Sequence, residues 1–328
     1  MSSNLVISAL ALCLAAQIAA PPPPAVSVIE YYGVGKVPLS RIEEALGVKP
    51  GAPLPASKGD AEARLEAVEG VVSARLEAVC CEAGGAILFV GILEKGARLF
   101  EVREPPKVNV LLPLEVAEAY QSFLEAYRDS ALRPGAPGLS PTAQSRLAAL
   151  ANKHLRTVRD VVRNSVDADH RAMAAHLLVF VKDKTAAADD LQYALRDPDE
   201  GVRQNALRAL KELVAYAAAH PEDEIKISPT WPVEMLNSLA WADRTGAAEL
   251  LVALSENRDA GVLGLLRERA LPQLFEMARW QSLQYALSSY ILLGRLAGLS
   301  EEQIQQSWAS GQRLQQLAAI EKSLGASR

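Results

Sequence analysis

The chain has 328 residues, enough for two or three domains, so a single small module does not account for it. Half of its residues are apolar and only 5% are aromatic, a balance that favours helices packed through alanine and leucine over an all-β architecture. The formal net charge of -5 leaves no basic stripe for a phosphate backbone, and nucleic acid is excluded as a partner class.

Residues 1–20 carry an apolar run from Leu5 to Ala20, and Pro21 to Pro24 follow in a short proline-rich linker, 21–25. This pattern reads as a signal peptide for export. Met1 to Asn4 lacks Lys and Arg and a proline follows Ala20, so an uncleaved membrane anchor with the domains outside the cytoplasm stays open as a second reading. The run falls somewhat short of the ~20 residues that a bilayer crossing needs. Leu12 ahead of Cys13 argues against lipidation.

From Ala25 to Tyr32 the chain is β-rich and ends at Gly33-Val-Gly35. Leu39, Ile42 and Leu46 then share a helical face that Gly47 and Pro50-Gly51 close, and Ala61, Leu65 and Val68 mark a second helix ended by Gly70. Val71 to Ala83 and Ala86 to Leu93 are strand-like runs joined by Gly84-Gly85, a favoured hairpin pair. The order β-α-α-β-β predicts a small α+β domain over 26–100, one side of its sheet buried under two helices. Cys80 and Cys81 are neighbours that cannot staple distant segments; one is expected to face the core as a small hydrophobe and the other to be exposed. A vicinal disulfide or an intermolecular bridge is the alternative.

Gly33, Leu46-Gly-Val-Lys-Pro-Gly-Ala-Pro-Leu54, Leu65-Glu-Ala-Val-Glu-Gly-Val71 and Ile92-Leu-Glu-Lys95, in that order and spacing, resemble a POTRA domain, the periplasmic module of outer-membrane assembly factors. The resemblance implies a periplasmic location and an exposed edge strand from Val71 to Cys81. No barrel-like alternation follows, which separates the chain from assembly pores.

Arg103-Glu-Pro-Pro-Lys107 lies in a linker, 101–111, because paired prolines stop helix and strand alike. A long helix is expected over 112–133, and Ser140-Pro141 starts another, with serine in the capping position. Val202 to Leu213 then repeats His170 to Val181 at an offset of 32 residues, placing Ala206 on Ala174 and Leu210 on Leu178. The segment Leu195-Arg-Asp-Pro-Asp-Glu-Gly-Val-Arg-Gln-Asn-Ala206 is similar to the turn and second helix of HEAT repeats. That resemblance implies that Asp197 ends one helix, that Arg203 and its counterpart Arg171 enter a polar ladder, and that Val202, Ala206 and Ala174 pack inward. Ser165 stands where the earlier repeat needs an acid. An ordinary helical hairpin without a superhelix is the alternative. After a charged, proline-bearing insertion, Pro221 to Pro229, helices are expected over 233–242, 246–255, 262–268, 272–279 and 282–297. Ser300-Glu-Glu-Gln303 is a capping box that opens a last, polar helix. The predicted fold is therefore a small α+β domain followed by an all-α HEAT-like helical-hairpin superhelix over 112–328.

The chemistry is sparse. His170 and His176, six positions apart on a helix, point about 240° apart and cannot share a metal. Asp167 and Asp169 suit a helix start. Gly33-Val-Gly-Lys36 lacks the full phosphate-loop spacing and reads as a strand-end turn. No catalytic motif, metal set or cofactor site is called for. The expected function is a non-enzymatic scaffold of the cell envelope that binds protein partners, with Val71, Val79 and Trp231 as candidate contacts; its oligomeric state is open. The rival is an enzyme or enzyme subunit with its site in the irregular region 221–241, around Asp223, Glu224 and Trp231.

Overall fold

A computed structural model describes residues 25–82, 84–132 and 141–325. Residues 1–20, read above as a signal peptide, and Ser140 lie outside the described residues. The N-terminal part runs β1 (Val26–Tyr32), α1 (Leu39–Leu46), α2 (Lys58–Glu66), β2 (Val71–Glu82) and β3 (Gly85–Glu94). Its sheet has the order β1-β3-β2, with β1 parallel and β2 antiparallel to β3. A Ser57 cap starts α2, and Gly47 with φ 67° ends α1. Ile42, Leu46, Ala61 and Leu65 from the two helices are buried against Ile29, Leu76, Leu88, Val90 and Ile92.

The second side of this sheet is covered as well. Tyr32, Ile87 and Phe89 belong to the core of the helices that follow. Expecting one buried side fails because β3, Ala-Ile-Leu-Phe-Val-Gly-Ile-Leu, is apolar at successive positions, and a strand like that is buried on both faces. Leu88, Val90 and Ile92 face α1 and α2, while Ile87 and Phe89 face the helices beyond. Gly91 leaves room for the Tyr32 ring: a Cβ there would lie 2.6 Å from it.

Fifteen α-helices in all include those of the remainder: α3 (Leu114–Leu132), α4 (Pro141–Lys153), α5 (Leu155–Asn164), α6 (Ala168–Leu177), α7 (Lys184–Ala194), α8 (Glu200–Ala219), α9 (Thr230–Met235), α10 (Trp241–Leu254), α11 (Ala260–Arg269), α12 (Leu271–Ala278), α13 (Leu283–Leu296), α14 (Glu301–Ala309) and α15 (Arg313–Leu324), counted among the described residues. Consecutive helices form hairpins, and α6, α8, α10 and α13 pack in series along one layer. Their interface is rich in small side chains: Ala174, Ala206, Ala209, Ala247 and Ala248 are buried.

Several expected boundaries move, among them the start expected at 246, which lies at Trp241. The helix expected over 233–242 is a turn from Leu236 to Ala240 between α9 and α10, held because the Ser238 hydroxyl accepts the Ala240 NH and donates to Asp243. The expected last helix is two, since Gly311 with φ 73° breaks the chain between α14 and α15. The capping box of Ser300 and Gln303 is formed at α14.

The segment 101–111 is pinned across the helices. The Arg103 NH donates to Arg196 O, the Val108 NH to Asn164 O, and the Val166 NH to Val108 O. The Leu112 NH donates to His170 Nδ1. Phe100 and Leu112 are buried at its two ends. Prolines 105 and 106 stop regular structure here without freeing the backbone.

Candidate functional site

Arg171, Arg203 and Arg244 sit near the starts of α6, α8 and α10, and each is at most 5% exposed. Each folds back on the turn before its helix. Arg171 Nη1 donates to Ser165 O and Val166 O. Arg203 Nη1 donates to Asp197 O and Pro198 O, and Arg244 Nε donates to Ser238 O. The rest of each guanidinium reaches an acid in the next hairpin. Arg171 grips Asp197 with two nitrogens at 2.8 and 2.9 Å. Arg203 grips Asp243 at 2.8 to 3.0 Å, and Arg244 Nη1 donates to Glu276 at 2.9 Å.

A buried carboxylate is stable only when its lone pairs are met. Asp197 receives Arg171, Arg103 and the Asp199 NH; Asp243 receives Arg203, Gln204 Nε2 and the Ser238 hydroxyl. Asp190 on α7, wholly buried, takes Arg159 and Arg163 from α5. The guanidinium groups of Arg103 and Arg163 each lie over the Tyr193 ring, at 4.5 and 4.7 Å from its centroid. Among the sequence-predicted repeat residues, Asp197, Val202, Arg203, Ala206, Arg171 and Ala174 are all buried here.

The third rung turns toward the sheet. Glu276, held by Arg244, accepts the Gly33 NH at 2.6 Å. Burial pushes the Glu276 carboxyl above the usual range, against the opposing pull of Arg244 and the Gly33 NH. Arg244 also stacks over the Tyr32 ring at 4.6 Å, and the Tyr32 hydroxyl donates to Leu239 O at 2.7 Å. Phe89 stacks on Trp241 with centroids 4.7 Å apart and meets Trp280 and Tyr285 edge-on. The Ser282 NH donates to Glu30, and Arg75 pairs with Glu77 and with Glu200 of α8.

The candidate contacts from the sequence are half-buried. Val71 packs on the core beneath α1 and α2, Val79 on the core of the helices, and Trp231 lies under the Arg196 guanidinium at 4.3 Å. On β2, an edge strand as expected, the outward Ala74 NH donates to Glu66 and the Leu76 NH to Glu62, both from α2. That edge is thus capped over its first half. Cys80 is exposed and disulfide-bonded, which answers to the bridged alternative rather than to two free cysteines; the side chains of Cys13 and Cys81, the other two cysteines, lie outside those described.

The residues 221–241 hold structural posts. The Tyr216 hydroxyl donates to Asp223, Glu224 turns the chain at φ 48°, and the Gln192 amide binds the backbone of Lys226 and Ser228. Ile225 and Ile227 rest against the core. His170 and His176 face different neighbours, and the described residues contain no group of three or more His, Cys, Asp or Glu able to hold a metal. Asp167 caps α6 through the His170 NH. Among the described residues no helix is long and apolar enough to cross a membrane.

Gly35, Lys36 and Val37 present three consecutive NH groups, as a phosphate loop would, and all three donate to the Glu94 carboxylate at 2.8 to 3.0 Å. Burial pushes that carboxyl up, but the NH groups outweigh it and hold the group below the usual range.

Sequence reasoning missed Arg244 and Asp243. Leu236, Ser238, Arg244 and Ala247 repeat Leu195, Asp197, Arg203 and Ala206 at an offset of 41 residues, from 203 to 244. The signal was present, but the insertion lengthened the period. No family model matches the chain, and no curated protein matches it in sequence.

Proposed function

We propose that the chain is an exported, non-enzymatic scaffold of the cell envelope that binds protein partners, with a POTRA-like sheet ahead of HEAT-like hairpins wound into a superhelix. The observation that supports this reading is the threefold recurrence of a buried arginine, Arg171, Arg203 and Arg244, each tying its own turn to the next hairpin. Stacked hairpins of this kind build long surfaces from nearest-neighbour contacts, and such surfaces serve binding. Two surfaces are assigned to partners. One is the distal half of β2 from Ala78, beyond the cap of Glu62 and Glu66, where backbone pairing would add a strand. The other is the exposed apolar group Val108, Leu111, Leu114 and Val166 beside the first turn of the array.

The test places a photo-activated crosslinking residue at position 78 or 114 in the exported form. The reading predicts a saturable adduct with an envelope polypeptide at either position, lost on Leu114→Glu for the second. Absence of saturable adducts at both positions, with the protein folded and exported, overturns it.

A further inference from the structure

The sheet does not touch the helices at one point. Arg75 reaches Glu200 at the start of α8, and Arg98 reaches Glu234 on α9. Phe89 covers Trp241 of α10, Gly33 binds Glu276 of α12, and Glu30 holds the NH of Ser282, which precedes α13. The segment 101–111 extends the same grip toward the N-terminal side. Arg103 reaches Asp197 and the carbonyls of Val162 and Arg163, and Val108 lies in a parallel bridge with Ser165. Together these contacts span every hairpin from α5 to α13.

In an array of hairpins each unit is positioned by its immediate neighbours, so small angular freedom at each junction accumulates along the array. A single body attached to many units removes that freedom. The attachment here is specific as well as apolar. Tyr32, Glu30 and Gly33 each make a hydrogen bond across it that only one docked pose satisfies. Phe89, Trp280 and Tyr32 supply the area that opposes separation in water.

We infer that the sheet and segment 101–111 form an intramolecular clasp that fixes the spacing of the helical hairpins from α5 to α13, and that releasing the sheet is what lets the array change curvature. The inference stands independently of the scaffold reading, because it concerns the chain alone.

The variant Arg75→Glu with Trp241→Ala sets a third carboxylate against Glu77 and Glu200 and removes the ring under Phe89. Two readouts are needed on the full chain. The first is hydrogen exchange of the Gly33 and Ser282 amides, whose acceptors lie across the junction. The second is the distance distribution between dyes attached through azide-bearing residues at positions 156 on α5 and 305 on α14. The clasp predicts that both amides exchange about tenfold faster or more, that the dye distribution broadens, and that the helical circular dichroism is kept. Faster exchange with an unchanged distribution overturns it, and so does unchanged exchange, since the named contacts would then not hold the junction. If the double variant loses its helices, Arg75→Gln alone is read by the same two criteria.

Discussion

Arg203 illustrates how much one side chain carries. It satisfies two turn carbonyls and a fully buried carboxylate, so Arg203→Ala leaves Asp243 charged and short of its main partner. The expected cost is about 3–5 kcal/mol, measured as a lower urea midpoint with an unchanged slope. His176 gives a second expectation. Burial, then the nearby Arg208 charge, lowers its pKa from 6.5 to about 4, and it shares a hydrogen bond with Tyr120 amid Phe123 and Phe180. The unfolded chain therefore binds a proton that the folded chain refuses. Stability is full above pH 6.5 and falls as the pH drops toward 4, by on the order of 3 kcal/mol from this group. Urea titrations at pH 7 and pH 4 measure it, and His176→Phe should flatten the difference. Residues of this kind were only partly legible in the sequence. Arg203 and Asp197 stood out through their spacing, whereas Asp190 and Glu276 carry no local signal, because their partners lie in other helices.

At the scale of elements, helix starts were written more plainly than helix ends. Asp167, Asp183 and Asp199 each cap a helix, and they stand sixteen residues apart, half the repeat offset. The turn at 236–240 was misread because alanine and leucine run through it without a glycine or proline. What holds the turn is side-chain bonding around Ser238, whose hydroxyl meets the Ala240 NH and Asp243 and whose carbonyl meets Arg244, and no hydrophobic period announces that. The β2 edge yields a prediction at this scale. Exposed edge NH groups pair readily with other chains, and here two carboxylates of α2 occupy them. Glu62→Ala with Glu66→Ala should uncover the Ala74 and Leu76 amides and promote concentration-dependent association, seen by analytical ultracentrifugation. An unchanged sedimentation profile across a wide concentration range would show that the cap does not guard the edge.

For the whole molecule, the β-α-α-β-β order and the helical remainder were legible from periodicity, whereas the docking of one on the other was not. Its only trace was the unbroken apolar run of β3, which signals burial on both faces without naming what covers them. A fragment of residues 26–100 alone would present Tyr32, Ile87 and Phe89 to water. It should bind an apolar dye and self-associate more strongly than the full chain; a monomeric, dye-silent fragment would contradict the two-sided burial.

The loop after β1 has a chemical consequence of its own. Three aligned amides form an anion receptor, and the protein fills it with its own Glu94. Because that carboxyl stays ionised below the usual range, sulfate and phosphate find the receptor taken throughout neutral conditions. Selectivity here is achieved by self-occupancy, and removing the occupant would reveal it: Glu94→Ala should acquire saturable sulfate binding by calorimetry that the parent chain lacks.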